Sequence, residues 1–452
     1  MKIKTLLLFF CLFSWQLFAQ NKPVSQNDDY KIAENDAENP CISSQQYSII
    51  EKECAENCKK LGIDANKFKN GKINSVPLSF PVKAAAGLTD CAFYHIAAYV
   101  DLNPAAGVVQ DYNCGTNTYD GHSGTDISTW PYNFVKMDNN LVQVVAAAAG
   151  TIVNKNDGQF DRNCSKNALT ANFIIIQHSD GSYALYWHMK KNSVTAKAIG
   201  QKVVVGEYLG VVGSSGSASG PHLHFEIWTG ATAATRIDPY GGACNTLSAS
   251  WWATQKPYKE TGIMKATVNA TDNILPACPA TETPNESNLY QIPYQGFSLS
   301  PGYARFYVFL RDEISGLNAD MSILNPDGTT FLAWTYNSLT TGQIRMIGTS
   351  KKLPIVPGLY TFKAVYNGTI CSSTFKVYDC PSGNILLPQD DVNLSNITAG
   401  VHTFNTQNIV ASNKITNLAT NVVYFSAKSI TLLPNFKADN SATFTAQIGG
   451  CN

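Results

Sequence analysis

The sequence predicts a mainly β protein of several domains, and three observations carry that prediction. At 452 residues the chain exceeds what a single hydrophobic core ordinarily serves. Its balance of 44% hydrophobic against 15% charged residues belongs to a folded chain, and 21 Tyr and 21 Phe favour strands. Short runs of alternating apolar and polar residues recur along most of its length, divided by Gly, Asn and Asp. The formal net charge is zero, which leaves no electrostatic footprint for nucleic acid or an anionic membrane, so neither partner is expected.

Taken in order, residues 1–19 have the parts of a signal peptide: Lys2 and Lys4, an apolar run from Leu6 to Phe13, and Ala19 at the cleavage position. The run is too short to span a bilayer, and no other segment is long and apolar enough, so no transmembrane segment is expected. Bulky Phe10 speaks against Cys11 as a lipid anchor. The expected location is secreted or periplasmic. There, disulfides are the default fate of cysteine. Twelve cysteines less Cys11 leave eleven, an odd number, so at least one thiol has no partner within the chain. No CxxC pair is present, which argues against a structural zinc knuckle. Cys278–Cys371 and Cys380–Cys451 are the expected bridges, since each would close one module.

Residues 20–90 read as a pro-segment or spacer with one short helix at 45–61. There Ile50, Cys54, Cys58 and Leu61 share a face, Ser44 caps the start and Gly62 ends it. A disulfide is expected to pin this helix. Residues 91–262 form a domain of short strands, whose clearest hairpin runs from Asn172 to His188 and turns at Asp180-Gly181. Strict alternation places Tyr183, Leu185 and Trp187 on one face, and Ala184, Tyr186 and His188 on the other. Residues 263–380 read as an Ig-like β-sandwich, with alternating strands such as Ala304–Leu310 and Leu359–Val365. In 381–452, Phe404, Ile409 and Ile415 are followed 21 residues later by Phe425, Ile430 and Phe436. That period predicts a small stacked β-coil, and the segment resembles the coat-hanger-like stack modules of exported bacterial proteins.

The chemistry gathers around GPHLHFEI, residues 220–227. On a strand, His222, His224 and Glu226 point one way and Leu223, Phe225 and Ile227 the other. The second set suits a core; the first holds two imidazoles and a carboxylate, which no core accepts without partners. An exposed sheet face carrying satisfied histidines is the plain alternative. Two further features weigh against it: His122 and Asp126 at HxxxD spacing in a glycine-bounded loop, and His188 at a strand end. Together they have the composition of a catalytic zinc site, in which three N/O ligands leave a fourth position for water. Glu226 could orient a ligand imidazole or lie exposed. The Gly213–Gly220 Gly/Ser run lacks the GK[ST] ending of a phosphate loop and reads as a flexible groove wall. His178 reads as structural, His95 and His402 have no partners in sequence, and the Asp157–Arg162 loop reads as solvated rather than calcium-binding.

These residues resemble the M23 zinc metallopeptidases, the lysostaphin and LytM-like group. The likeness runs through Thr118–Ile127, Val144–Gly150, Gly206–Gly216 and Gly220–Glu226, and covers about 170 of the 452 residues. It implies an antiparallel-sheet peptidase core at 91–262 and one Zn2+, held by His122, Asp126 and His224. It makes His188 and His222 the catalytic pair flanking a zinc-bound water. It further implies an exported endopeptidase acting on peptidoglycan cross-links, stem peptides or other glycine-rich peptides. The C-terminal modules are then candidates for binding cell wall or surface.

Overall fold

The structure is a computed structural model that describes residues 40–65, 67–68, 75–247, 249–269, 275, 278, 296–298, 303–378, 384–387, 401–416, 420–440 and 442–448. The expected signal peptide and the Cys380–Cys451 bridge lie outside the described residues. The fold is mainly β, with antiparallel sheets and a short N-terminal helix, as the alternation predicts.

The central element is an eight-stranded antiparallel sheet. Its order is His95–Ala98, Thr125–Ser128, His222–Trp228, Tyr183–Trp187, Phe173–His178, Gly150–Asn156 and Lys202–Val203, with Arg236–Ile237 added beside His222–Trp228. The predicted hairpin is present: Phe173–His178 pairs with Tyr183–Trp187, and Gly181 takes φ +94° in the turn. One face of the sheet buries Leu223, Phe225, Ile227, Ile174, Ile176 and Tyr186 against a smaller sheet of Val82–Ala84, Val142–Val145 and Tyr208–Val211. The other face buries Phe173, Ile175, Leu185, Trp187 and Trp228 beneath the N-terminal helix, α1, Ser44–Leu61. Both faces are therefore covered, and every residue of His222–Trp228 is buried.

Helix α1 presents Ile50, Cys54 and Cys58 to that second face, as their spacing predicts. Its N-cap is Ser43 rather than Ser44. The Ser43 hydroxyl accepts from Gln46 N–H while the Gln46 side chain accepts from Ser43 N–H, a reciprocal capping box. Gly62 closes the helix in the left-handed conformation. No disulfide pins the helix: Cys41, Cys54 and Cys58 are free and buried, and apolar packing holds it instead.

Beyond residue 262, a three-stranded sheet of Gly262–Asn269, Tyr303–Glu313 and Gly342–Lys352 faces a five-stranded sheet, and Phe306, Phe362, Phe375 and Tyr366 fill the space between. A separate apolar cluster of Trp130 and Tyr132 with Met264, Phe309, Ile344 and Met346 joins this sandwich to the central sheet. The bridges also cross that boundary. Cys371 pairs with Cys91 and Cys278 with Cys164, so the expected Cys278–Cys371 bridge is wrong; Cys114–Cys244 is the third. The reason is spatial: the sulfurs pair across an interface that sequence spacing does not encode.

The strands of the C-terminal segment pair in parallel in the order Asn384–Leu387, Val401–Ala411, Asn421–Leu432, Thr443–Ile448. Ile409 sits opposite Ile430, as the repeat predicts. A register shift between Thr406 and Asn408 places Phe404 opposite Tyr424 instead of Phe425, and Ile415 meets Ala438 instead of Phe436. The offset between paired residues thus grows from 20 to 21 to 23 along the coil, and a fixed period cannot follow it.

Candidate functional site

The site lies on the α1 face of the central sheet. Pairing of Thr125–Ser128 with His222–Trp228 sets Asp126 directly opposite His224, so both side chains leave the same face. His122 comes from the loop just before, and its Nδ1–H donates to the Tyr99 carbonyl at 2.6 Å, which leaves Nε2 as the free ring nitrogen. Gly124 is required between them, because a Cβ there would sit 2.8 Å from the His224 ring and 2.7 Å from the Phe225 carbonyl.

Three donor atoms converge. His122 Nε2 lies 3.2 Å from Asp126 Oδ1 and 3.2 Å from His224 Nδ1, and His224 Nδ1 lies 2.8 Å from Asp126 Oδ1. Corners of a tetrahedron drawn about 2.0–2.1 Å from a zinc ion are roughly 3.3–3.4 Å apart, so the triangle has the size of one tetrahedral face. The donor set, two imidazoles and a carboxylate, also suits zinc. Glu226 is buried and not exposed: its Oε1 accepts from His224 Nε2 at 2.9 Å and from Ser123 at 2.8 Å, while Oε2 accepts from Trp228 Nε1 at 2.7 Å. That bond fixes the His224 tautomer and turns its Nδ1 lone pair toward His122 and Asp126.

His188 and His222 complete the cluster, with ring centroids 4.6 Å apart. Alternation places His188 on the face opposite Trp187, and the structure corrects this. His188 follows the last strand residue with φ +66°, a left-handed turn that brings its ring back to His222 and His224. Its Nδ1–H donates to the Ser215 carbonyl at 2.6 Å, and His222 Nδ1–H donates to the Gly220 carbonyl at 2.8 Å. Both Nε2 atoms are buried without a hydrogen-bond partner of normal geometry. The Gly/Ser run is thus a buried strut that orients His188, with Ser214 and Ser215 fully buried, rather than the expected flexible groove wall.

Electrostatics follow from the crowding. Burial pushes the Asp126 carboxyl up, but His122 and His222 overcome this and hold it well below the ordinary range. Burial pushes His224 down, yet its bonds to Asp126 and Glu226 raise it well above the ordinary imidazole value. His188 is lowered, by burial and then by neighbouring His222. Two buried carboxylates facing one another across an imidazole require positive charge between them, which a protonated His224 or a divalent cation in its place would supply.

The remaining expectations resolve simply. His178 is buried and hydrogen-bonded to Ser182 at 3.0 Å, a structural role, and His95 is buried in the first strand of the sheet, away from the cluster. Asp157 and Asp161 accept from backbone N–H groups of Asn192, Val194 and Lys191, so the loop's carboxylates are occupied. Two residues escape the sequence reading. Tyr119 stacks on His122 with centroids 4.2 Å apart, and Cys41 places its Sγ 2.9 Å from the Tyr119 hydroxyl. The only signal for Cys41 was the odd cysteine count.

The sequence of residues 121–239 matches the model of Peptidase family M23. The chain carries a peptidase family M23 domain. Over 57 residues the chain is 42% identical to an uncharacterized metalloprotease of Buchnera aphidicola, covering 13% of this chain and 14% of that protein. Over 56 residues it is 39% identical to the peptidoglycan DD-endopeptidase ShyA of Vibrio cholerae, 12% of each chain. The chain thus spans only about an eighth to a seventh of the length of these curated relatives. Among solved structures, the lysostaphin catalytic domain from Staphylococcus simulans is 22% identical with a TM-score of 0.21, covering 31% of this chain and 85% of that one.

Proposed function

We propose that this protein is an exported zinc endopeptidase that hydrolyses peptide bonds in peptidoglycan cross-links or stem peptides, or in other glycine-rich peptides. The observation that carries the proposal is the convergence of His122, Asp126 and His224 on one point, beside two buried imidazoles whose Nε2 atoms have no hydrogen-bond partner of normal geometry among the described residues. Supporting it are the M23 domain and relatives named as metalloprotease and peptidoglycan DD-endopeptidase. Three disulfides support an oxidising compartment outside the cytosol.

In this reading His122 Nε2, Asp126 Oδ1 and His224 Nδ1 hold the zinc. Zinc, when bound, acts as a Lewis acid that activates water and polarises the scissile carbonyl. His188 and His222 offer Nε2 to the reacting atoms: one, as the neutral ring, takes the proton of the attacking water, and the other, as the imidazolium with both nitrogens protonated, donates to the developing oxyanion. Their Nδ1–H bonds to Ser215 and Gly220 hold both rings in the tautomer that general-base work needs. Glu226 keeps His224 oriented through Nε2.

The test separates ligand from proton carrier. His224→Ala should lose zinc, measured by metal analysis after dialysis, and with it all hydrolysis of glycine-rich or cross-linked wall peptides. His222→Ala should retain zinc and lose about 10²–10⁴-fold in turnover. Equal loss of metal in both variants would refute the division of roles. Full zinc content with no hydrolysis in any form of the protein would favour a binding protein built on the same fold.

A further inference from the structure

The cluster has a sixth member from outside the M23 match. Cys41 Sγ lies within 4.8 Å of ligand atoms of His122, Asp126 and His224, and it also groups with His188 and His222. Cys41 itself is only 4% exposed. A thiol that merely fills space packs against apolar side chains. This one faces four imidazoles and a carboxylate, with a phenol at 2.9 Å. The buried, unpartnered Nε2 atoms of His188 and His222 belong to the same pocket.

Cys41 is delivered there by built structure. Ile42 packs with Ile50, Trp187 and Trp228 in one apolar cluster, and Ser43 begins α1. Tyr47, one turn into the helix, hydrogen-bonds Ser123 at 2.9 Å and also donates to Glu226, so the helix touches the residue that orients His224. Farther along, Glu51 accepts from Ala233 N–H at 2.8 Å, Glu53 from Asn154 at 2.9 Å, and Asn57 donates to the Val153 carbonyl at 2.9 Å. With this segment seated, none of His122, Asp126, His188, His222 and His224 exceeds 6% exposure. No peptide can reach the cluster in that state.

We propose that Cys41 is the fourth ligand of the zinc in the site assigned above, and that residues 40–63 are a plug which keeps the peptidase latent. The proposal rests on the zinc reading. A thiolate is a preferred zinc ligand. Added to one carboxylate, it brings the charge of the divalent site to zero, the arrangement least costly to bury. Sulfur in the fourth corner removes the place for water. Release of the segment breaks the zinc–sulfur bond, water's lone pair takes the vacated corner, and the thiolate takes a proton from solvent. No oxidant or reductant enters. Hydrolysis of the chain beyond α1 by another endopeptidase is the class of reaction that would make release permanent.

Cobalt(II) in place of zinc in the full-length protein tests this without relying on activity. The wild type should bind one cobalt per chain and show a thiolate-to-cobalt charge-transfer band in the near ultraviolet. Cys41→Ala and Cys41→Ser should keep the cobalt d–d bands and lose the charge-transfer band, while a Cys54→Ala/Cys58→Ala protein keeps both. Metal should also protect Cys41 of the wild type from iodoacetamide, read by peptide mass. Hydrolysis by Cys41→Ala should exceed the wild type by at least about tenfold, since only the open fraction is competent, and the histidine variants are best compared in that background. Cobalt bound without the charge-transfer band, or a band that survives Cys41→Ala, overturns Cys41 as a ligand and leaves the zinc site standing. Failure of every form to bind cobalt overturns the zinc site and the plug together.

Discussion

The central sheet and the sandwich are made by the same rule of alternation, yet they use it differently. In the sandwich strand Gly358–Tyr366, Tyr360, Phe362, Ala364 and Tyr366 face the core, and the intervening side chains, among them Lys363, are half-buried or exposed. In His222–Trp228 both sets are buried: Leu223, Phe225 and Ile227 on one side, and His222, His224, Glu226 and Trp228 on the other. A wet face places few demands on its side chains. A covered face carrying titratable groups costs several kcal/mol unless each is paired. What marks function in this molecule is thus not the strand pattern but a buried polar face whose donor atoms converge and are not all partnered.

If that contrast is right, damage to one region should leave the other's property intact. The largest expected effect is Phe306→Ala. Phe306 is fully buried, with edge-to-face contacts to Phe362 at 5.0 Å and to Phe375 at 5.8 Å. Its truncation should cost about 3–5 kcal/mol of sandwich stability in urea unfolding while the metal content stays unchanged. Metal loss in step with unfolding would mean that the interface cluster of Trp130, Tyr132, Phe309 and Met346 makes the two regions one cooperative unit.

Next comes acid. None of the seven histidines falls within the sandwich, whereas the central sheet buries His178 and His95 as neutral rings. Burial holds His178 down at about 4, well below the ordinary 6.5. A depressed histidine contributes stability that is full above the unfolded value and is lost as pH falls from 6.5 toward 4. Between pH 6.5 and 5 that loss approaches about 2 kcal/mol, at roughly 1.4 kcal/mol per unit. His178→Gln, compared in the zinc-loaded protein, should flatten the fall in Tm of the peptidase region over this window. An unchanged slope would show that His178 is protonated in the folded state.

How much of this was legible follows the range of each cause. Local causes could be read directly. The HxH alternation gave the site face, Asp180-Gly181 gave the hairpin, and the spacing of Ile50, Cys54 and Cys58 gave the helix face. Causes involving distant partners could not be read. His188 faces the site because one residue turns left-handed. Cys91 meets Cys371 across 280 residues because two domains dock. Cys41 lies 78 residues from Tyr119 in sequence yet within 2.9 Å in space. The odd cysteine count said that a thiol was spare, and nothing in the spacing said where it went.

The smallest predicted effect acts on the cover itself. Ser43 and Gln46 cap α1 reciprocally. Ser43→Ala removes one of these bonds and should cost about 1 kcal/mol of helix stability. The site residues are untouched, so zinc content should hold. What should change is the opening of the second face: amide exchange in the first turns of α1 should quicken about fivefold, the factor that 1 kcal/mol represents. Exchange in the sandwich should stay constant, because its outer face never depended on a cover. If α1 exchange is unmoved by the lost cap, then contacts such as Tyr47 with Ser123 hold the segment down instead, and Tyr47→Phe becomes the variant that loosens it.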